Sequence, residues 1–373
     1  MESNFYNAFD YSKPLSLYIH IPFCNAKCDY CAFYSIPKCK TDKSAIHAYA
    51  MQISEQIEHV ASLMDRPFYT AFTGGGNPGC LEVEDLERIC RAVCTNGRPE
   101  EFTTEINPES LTPEHEALFG KYLNRMSMGV QSLDEKALRY MGRNVTLEQT
   151  KRGIDLACRI KKNTHCSLSF DMITCLPAFH NPVRDLENLL TTCSVQPDHL
   201  SVYALTPEEG TPFYRRLESG KSEKLPDSDA QADILRNIWD FLKEKGYEHY
   251  EVSNFAKKGR QSLHNSVYWN YNQYMGLGVS AHSRAFKDGI VTAFESQENA
   301  QVLTKEEELE EFVLMGLRHT QGLDLERLEN EFGYDIEILK KSIPAGYSIQ
   351  NGRLVPDDRG LMTSDAAALM ILH

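Results

Sequence analysis

The segment CNAKCDYCAF, residues 24–33, places Cys24, Cys28 and Cys31 within eight positions. Thiolates this close together bind metal, either one zinc ion with four ligands or an iron–sulfur cluster in which each thiolate binds one iron. Three thiolates on a four-iron cluster would leave one iron open to a small molecule. Structural zinc usually takes two separated CxxC pairs, so this single, asymmetric CxxxCxxC favours a cluster over zinc.

Two alternatives to a cluster stay open for these thiols. A zinc site would need a fourth ligand, for which His20 and Cys39 are candidates. A redox-active CxxC is the other alternative, in the segment CDYC, although no evident thioredoxin-like helix begins there.

The composition is that of a globular protein of 373 residues, 42% of them hydrophobic and 25% charged. The opening MESNFYNAFDYSKP lacks the basic and apolar regions of a secretory signal, and no apolar run is long enough to span a membrane. The eleven cysteines form no repeating framework and suit a reducing compartment, so we expect a cytoplasmic protein. A net charge of −14 argues against a nucleic-acid partner, because phosphate would be repelled.

Short apolar runs rich in β-branched and aromatic residues alternate with helical patterns along the first half of the chain. The runs predict six strands, at 15–21, 68–73, 102–107, 125–130, 167–173 and 199–205. Helical patterns lie at 41–64, 83–94, 183–193 and 228–245. A short helix is also predicted after Pro113, and a separate helical stretch ends near residue 160. Strands that alternate with helices indicate an α/β fold of βαβ units around a parallel sheet.

The rest of the chain divides into an irregular part and a compact part. Residues 206–300 are irregular, and we assign them as an extension of a first domain, 1–300. Residues 301–373 predict a second, small α+β domain, in which helices precede a hairpin.

This second domain is expected to be winged-helix-like. Its turn signals are Asn351-Gly352 and Asp358-Arg359-Gly360. Residues 305–373 contain seven basic and fourteen acidic side chains, which argues against DNA binding and favours a lid or a docking surface.

A glycine-rich loop follows the second predicted strand. The sequence TGGGNPG matches GxGxxG at Gly74, Gly76 and Gly79, a pattern that can bind a dinucleotide at a helix N-terminus. Pro78 removes a backbone donor there, and acidic residues crowd the start of the next helix. The dinucleotide interpretation is therefore disfavoured.

The segment YIHIPFCNAKCDYC resembles the signature of radical SAM proteins. The resemblance implies a [4Fe-4S] cluster on Cys24, Cys28 and Cys31, whose open iron is chelated by S-adenosylmethionine (SAM). It also implies that the six strand–helix units form a partial (β/α)6 barrel, followed by a HemN-type C-terminal domain. More narrowly, the chain resembles the branch that contains oxygen-independent coproporphyrinogen oxidases and HemW-type heme chaperones.

The resemblance carries over further residues at the ends of successive strands, the edge at which a βα barrel builds its site. The residues that it implies for the SAM pocket are Tyr18, Tyr30, Gly76, Asn77, Glu105, Gln131, Arg143, Asp171, Tyr203 and Ala204. Two positions depart from the family pattern: Asn77 replaces a usual threonine, and Cys175 replaces a usual glycine.

Two features distinguish an enzyme from a carrier within this branch. The oxidases have a further cysteine two positions after the third, where this chain has Phe33, as the carriers do. The segment HNSVYW, 264–269, matches the HNxxYW motif of HemW-type proteins, with His264 as a candidate axial ligand of heme iron.

The sequence therefore predicts a HemW-like heme chaperone with heme bound in the extension at 206–300. Its expected partners are heme and heme-accepting proteins, including respiratory enzymes, and a homodimer is among the assemblies left open. The alternative is an oxygen-independent coproporphyrinogen III oxidase.

Overall fold

The structure is a computed structural model that describes residues 2–373, with side chains from Phe5 onward. The strands, in chain order, are β1 (Ser16–Ile21), β2 (Phe23–Cys24), β3 (Ile36–Pro37), β4 (Thr70–Gly75), β5 (Glu101–Ile106), β6 (Arg125–Gln131), β7 (Ser167–Thr174), β8 (His199–Ala204), β9 (Glu248–Glu251), β10 (Asn254–Ala256), β11 (Tyr274–Leu277), β12 (Ser283–Lys287), β13 (Ile290–Ser296), β14 (Asn299–Val302), β15 (Leu323–Asp324), β16 (Tyr347–Gln350) and β17 (Arg353–Pro356).

The helices follow the same order. They are α1 (Glu2–Asn7), α2 (Lys43–Ser62), α3 (Val83–Val93), α4 (Glu135–Tyr140), α5 (Leu147–Thr164), α6 (Pro182–Thr192), α7 (Pro212–Glu218), α8 (Ser228–Glu244), α9 (Leu263–Trp269), α10 (Lys305–Gly316), α11 (Leu325–Phe332), α12 (Ile336–Lys341), α13 (Asp358–Met362) and α14 (Ser364–Leu372). Short 3₁₀ helices lie at Lys38–Lys40, Pro78–Cys80 and Pro113–Leu118.

The main sheet has the order β14-β13-β12-β11-β1-β4-β5-β6-β7-β8-β10-β9. Its central strands, β1 and β4 to β8, are the six predicted ones, and they pair in parallel as expected. The extension was not predicted to join the sheet, yet it supplies strands at both edges. Strand β11 adds a parallel neighbour to β1, while β10 pairs antiparallel with β8. The prediction of an α/β fold with a partial barrel is confirmed.

The central strands are buried on both faces, as parallel strands covered by helices must be. Leu17, Ile19 and Ile21 alternate with other buried residues along β1 and are fully inaccessible. Helix α5 covers the sheet with an apolar face that includes Ile154 and Ala157, and Thr146 caps it through a reciprocal bond with Gln149.

The C-terminal helices and a three-stranded sheet, β15-β17-β16, form a module with its own apolar core. The hairpin turn at Asn351-Gly352 is confirmed, with both residues in the left-handed region. The second predicted turn, at 358–360, is wrong. Asp357 accepts a hydrogen bond from the Gly360 amide, and a helix, α13, begins there instead.

Across residues 2–373, no helix has both the length and the apolar character that crossing a membrane requires.

Gly153 tests how tightly α5 packs on the loop after β5. A methyl group added at Gly153 would lie 2.6 Å from the Pro108 Cα atom. Replacement of a helical glycine by alanine normally stabilises a protein, but here we expect Gly153→Ala to lower the free energy of unfolding by about 1 to 3 kcal/mol. Denaturant titration would measure it, with Lys151→Ala on the exposed face of α5 as the control. A stabilised Gly153→Ala variant would contradict the close contact.

Candidate functional site

The cysteine loop begins at β2, directly beside the carboxyl end of β1. Cys24 and Cys28 are buried and Cys31 is half-buried. Burial, together with the nearby thiols of Cys80, Cys31 and Cys28, raises the pKa of Cys24 to about 12. Burial also raises the pKa of Cys31. These thiols are therefore protonated in the protein alone, and a bound metal centre would favour their thiolate forms.

A single metal ion needs several ligand atoms close together. Among the described residues, no three His, Cys, Asp or Glu side chains are close enough to hold one metal ion. A four-iron cluster does not require that convergence, because each thiolate binds a different iron.

The two candidates for a fourth zinc ligand are not directed at the cysteines in this conformation. Both ring nitrogens of His20 are engaged, Nδ1 with the Tyr18 hydroxyl at 3.1 Å and Nε2 with the Tyr34 carbonyl at 2.9 Å. Cys39 is exposed on a 3₁₀ helix. Three cysteine thiols on one loop match the donor set of the predicted cluster, and the cluster itself stays a prediction.

Arg143 supplies positive charge next to this loop. Its Nη1 donates to Cys28 Sγ at 3.4 Å, and its Nη2 donates to the Asn107 side chain at 2.8 Å and the Gly129 carbonyl at 2.6 Å. Burial alone would lower the Arg143 pKa, but the neighbouring Cys28 and Tyr30 outweigh it and the pKa is raised. Arg143 is therefore a fixed cation at the site.

Two carboxyl groups face each other across the barrel mouth. Glu105 on β5 accepts a hydrogen bond from the Gly75 amide at 3.1 Å, and Asp171 on β7 accepts one from Ser127 at 3.1 Å. Burial raises the Glu105 pKa to about 8, and the negative charge of Asp171 adds to this shift. Burial likewise raises the Asp171 pKa to about 6. Beyond these bonds, both carboxyl groups keep oxygen lone pairs that can accept from the hydroxyl or ammonium groups of a ligand.

The remaining residues predicted for the SAM pocket lie around the same mouth. Tyr18 stacks on Phe72. Burial raises the pKa of Tyr18, and the nearby Glu105 adds to this shift. Tyr30 lies close to Cys28 and Arg143. The other three are at strand ends: Gln131 closes β6, and Tyr203 and Ala204 close β8.

The glycine loop passes very close to the cysteine loop. A methyl group at Gly76 would lie 2.6 Å from the Phe23 carbonyl oxygen, so only glycine fits there. The loop leads into a 3₁₀ helix, and α3 begins only at Val83, so no helix N-terminus meets the loop as a dinucleotide site requires. The Asn77 side chain is buried and hydrogen-bonded to the protein itself.

Cys175, the second departure from the family pattern, lies just after β7. Its thiol is buried, and its φ of 57° is in the left-handed region that favours glycine. This conformation explains why a glycine is usual at this position. Gln131 has a φ of 69°, so two neighbouring strands end in the same strained conformation next to the site.

His264 lies in the first turn of α9, within the extension, and its side chain is buried. Its Nδ1 is 2.8 Å from Thr70 Oγ1, and its Nε2 is 2.8 Å from the Tyr268 hydroxyl. Burial lowers its pKa to about 3, so the ring is neutral. Both nitrogens are therefore engaged in this conformation, and His264 holds Tyr268 in place.

Beside Tyr268 lies a cavity of about 500 Å³ between the extension and the C-terminal module. It is lined by residues from both parts, including Tyr203, Tyr268, Trp269, Arg284, Glu311 and Arg318. Arg284 on β12 forms an ion pair with Glu311 on α10, with Nη2 and Oε1 2.8 Å apart.

Several polar groups in this cavity have no hydrogen-bond partner within the described chain. They are Glu251 Oε1, Asn254 Oδ1, Trp269 Nε1 and Arg284 Nε. Burial raises the pKa of Glu251 to about 7. These atoms are buried in the walls of the cavity, where a polar atom without a partner costs free energy.

Sequence reasoning found the residues of the barrel mouth but missed most of this cavity. Glu251 and Asn254 stand in the unassigned segment YEVSNF, and Arg284 meets Glu311 only through the folded arrangement of distant segments. Asn107 could have been found, because it ends the strand predicted at 102–107, two residues after Glu105.

Comparisons with known proteins agree with this geometry. A model of the radical SAM superfamily matches residues 18–190, and a model of the HemN C-terminal domain matches residues 303–369. The heme chaperone HemW of Lactococcus lactis is 34% identical over 344 residues, which cover 88% of this chain and 87% of that protein. The heme chaperone HemW of Bacillus subtilis is 28% identical over 379 residues, covering 96% and 95%.

A solved structure shares the fold. Coproporphyrinogen III oxidase (HemN) from Escherichia coli superposes with a TM-score of 0.77 at 20% sequence identity, covering 100% of this chain and 93% of that one. The sheet, the cysteine loop and these matches define a radical SAM protein with a HemN-type C-terminal domain. Within that class, the chain belongs to the HemW family.

Glu105 gives the site a measurable pH dependence. Its carboxyl is neutral in folded and unfolded chains below pH 4.5, whereas between 4.5 and about 8 only the unfolded chain ionises freely. Its contribution to stability is thus present at low pH and lost as the pH rises through 8. We expect Glu105→Gln to unfold like the wild type at about pH 5 and to be more stable by roughly 1 to 2 kcal/mol at about pH 9.

Denaturant titration of the cluster-free protein at both pH values would measure this difference, with the exposed Glu100→Gln as the matched control. A stability gain that did not change with pH would show that ionisation of Glu105 is not its cause.

Proposed function

We propose that this protein is a heme chaperone that binds heme and delivers it to acceptor proteins. The observation that carries the proposal is the position of the HNSVYW segment. Tyr268 and Trp269 line a cavity of about 500 Å³ that also contains Arg284 and Arg318. Aromatic faces suit a flat, apolar macrocycle, and guanidinium groups suit carboxylates such as those of heme.

We propose His264 as the heme ligand, as the sequence suggested. This role requires His264 to release one of its two hydrogen bonds. To bind iron, its Nε2 must leave the Tyr268 hydroxyl, or its Nδ1 must leave Thr70. The neutral state of the ring favours ligation, because only an unprotonated nitrogen binds iron. If the hydrogen bonds persist, His264 still supports heme binding by fixing Tyr268.

The barrel mouth is proposed to hold a [4Fe-4S] cluster on Cys24, Cys28 and Cys31, with SAM as its fourth ligand. Arg143 stabilises the Cys28 thiolate, and Glu105 and Asp171 accept bonds from the donor groups of SAM. The backbone of the loop around Gly76 and Asn77 completes the pocket, together with Tyr18, Tyr30, Gln131, Tyr203 and Ala204. When bound, such a cluster would supply one-electron redox chemistry at this mouth.

The alternative function, coproporphyrinogen III oxidation, shares the fold but fits less well. The chain has Phe33 where the oxidases have a further cysteine. Phe33 and Tyr34 are 70% and 45% exposed, and adjacent exposed aromatic rings suit contact with an acceptor protein. The eleven free thiols suit a reducing compartment, so we propose a cytoplasmic location.

The cluster proposal is tested by Cys28→Ala. We expect the anaerobically reconstituted variant to lose its iron, sulfide and brown colour, because each thiolate holds one iron of the cluster. Iron and acid-labile sulfide analysis would measure this, with Cys94→Ser as the control, since Cys94 lies on the far end of α3. Normal iron and sulfide in Cys28→Ala, or zinc without sulfide in the wild type, would contradict the proposal.

The heme proposal is tested by Trp269→Ala and His264→Ala. We expect each to weaken heme binding about tenfold or more, the first by removing an aromatic face and the second by releasing Tyr268. Spectroscopic heme titration would measure this while the cluster content stays normal.

His282→Ala is the matched control, because His282 is an exposed histidine of the same extension. Unchanged heme affinity in both variants would refute the cavity as the heme site. Conversion of coproporphyrinogen by the wild type with SAM and a reductant would favour the oxidase instead.

A further inference from the structure

Asn77, the residue that departs from the family's usual threonine, has its side chain engaged at both ends by the protein. Its Nδ2 donates to Ser110 Oγ at 2.7 Å and to Cys80 Sγ at 3.4 Å, and its Oδ1 accepts from the Asn107 amide at 3.1 Å. The residue is 1% exposed. Both amide hydrogens are therefore used, and the side chain has no donor left for a ligand.

One branch of these bonds reaches the residue next to Cys24. Cys80 Sγ donates to Asn25 Oδ1 at 3.2 Å, and Asn25 Nδ2 donates to Ser110 Oγ at 2.9 Å. Asn77, Ser110, Asn25 and Cys80 thus form a closed ring of hydrogen bonds. Although much of Asn25 is exposed, both ends of its amide point into this ring.

The other branch reaches Cys28. Asn107, whose amide is bonded to Asn77, accepts from Arg143 Nη2 at 2.8 Å, and Arg143 Nη1 donates to Cys28 Sγ at 3.4 Å. Asn77 therefore bonds to both branches, the one that reaches the neighbour of Cys24 and the one that reaches Cys28. Residues 25–27 have few other inward bonds, since Lys27 bonds only at the surface, to the Phe33 carbonyl.

We infer that Asn77, with Cys80 and Ser110, is a positioning residue that holds the cysteine loop in the geometry needed for its cluster. This inference rests on the proposed cluster. Threonine offers a single hydroxyl and could not replace all three bonds of Asn77. Asn77 and Cys80 therefore act as one unit that links the glycine loop to the cysteine loop.

The experiment is a double-mutant cycle of Asn25→Ala and Asn77→Thr. The first readout is the rate at which anaerobically reconstituted protein loses its cluster to an iron chelator. The second is hydrogen exchange of the amides of residues 24–31 in the cluster-free protein. The third is the thermal midpoint of the cluster-free protein, which reports on the fold as a whole.

We expect each single variant to speed cluster loss by about three- to tenfold, the effect of one or two lost hydrogen bonds. The double variant should be no faster than the faster single one, because both changes break the same ring. Exchange at 24–31 should rise in both variants by more than it rises in the rest of the chain, whatever small fall the lost bonds cause in the thermal midpoint.

Unchanged cluster loss and exchange, or effects that simply multiply in the double variant, would overturn the inference. A lowered thermal midpoint with unchanged exchange at 24–31 would also overturn it, because the role of Asn77 would then be structural only. A wild type that binds no iron or sulfide would refute the proposed cluster, and the inference with it.

Discussion

The site depends on one constraint, the convergence of parallel strands at their carboxyl ends. Strands β1 and β4 to β8 run in the same direction, so the residues that end them meet at one mouth even though they are far apart in the chain. The cysteine loop leaves β2 at this mouth, the glycine loop leaves β4, and Glu105 and Asp171 project beside them. Strands of the extension pair with both outer strands of this group, so they flank the mouth on two sides.

The electrostatics of this mouth favour ligands with positive charge. Three thiols and two carboxyl groups face a space in which Arg143 is the cation that contacts a thiol. The raised pKa values of Cys24, Glu105 and Asp171 show that the protein alone does not stabilise so many negative charges. An iron–sulfur cluster with a sulfonium ligand would supply the missing positive charge, which is why the proposed cofactors suit this chain.

The sequence was sufficient for the sheet and for the mouth, and insufficient for the cavity. Six strands could be located because each is a short apolar run between helical patterns, and their order fixed which residues would meet. The extension was harder, because β9 to β14 are short and their pairing with distant strands is not visible in local patterns. The turn predicted at 358–360 failed because Asp357 acts as a helix cap rather than as part of a turn. His264 was recognised from its motif, but its two hydrogen bonds depend on Thr70, nearly two hundred positions away.

The ion pair between Arg284 and Glu311 joins the extension to the C-terminal module across the cavity. Any guest that carries a carboxylate to Arg284 competes with Glu311 for the same guanidinium. Binding of the proposed heme through its carboxylates and the contact between the two parts of the chain would therefore depend on the same cation, so that each would weaken the other.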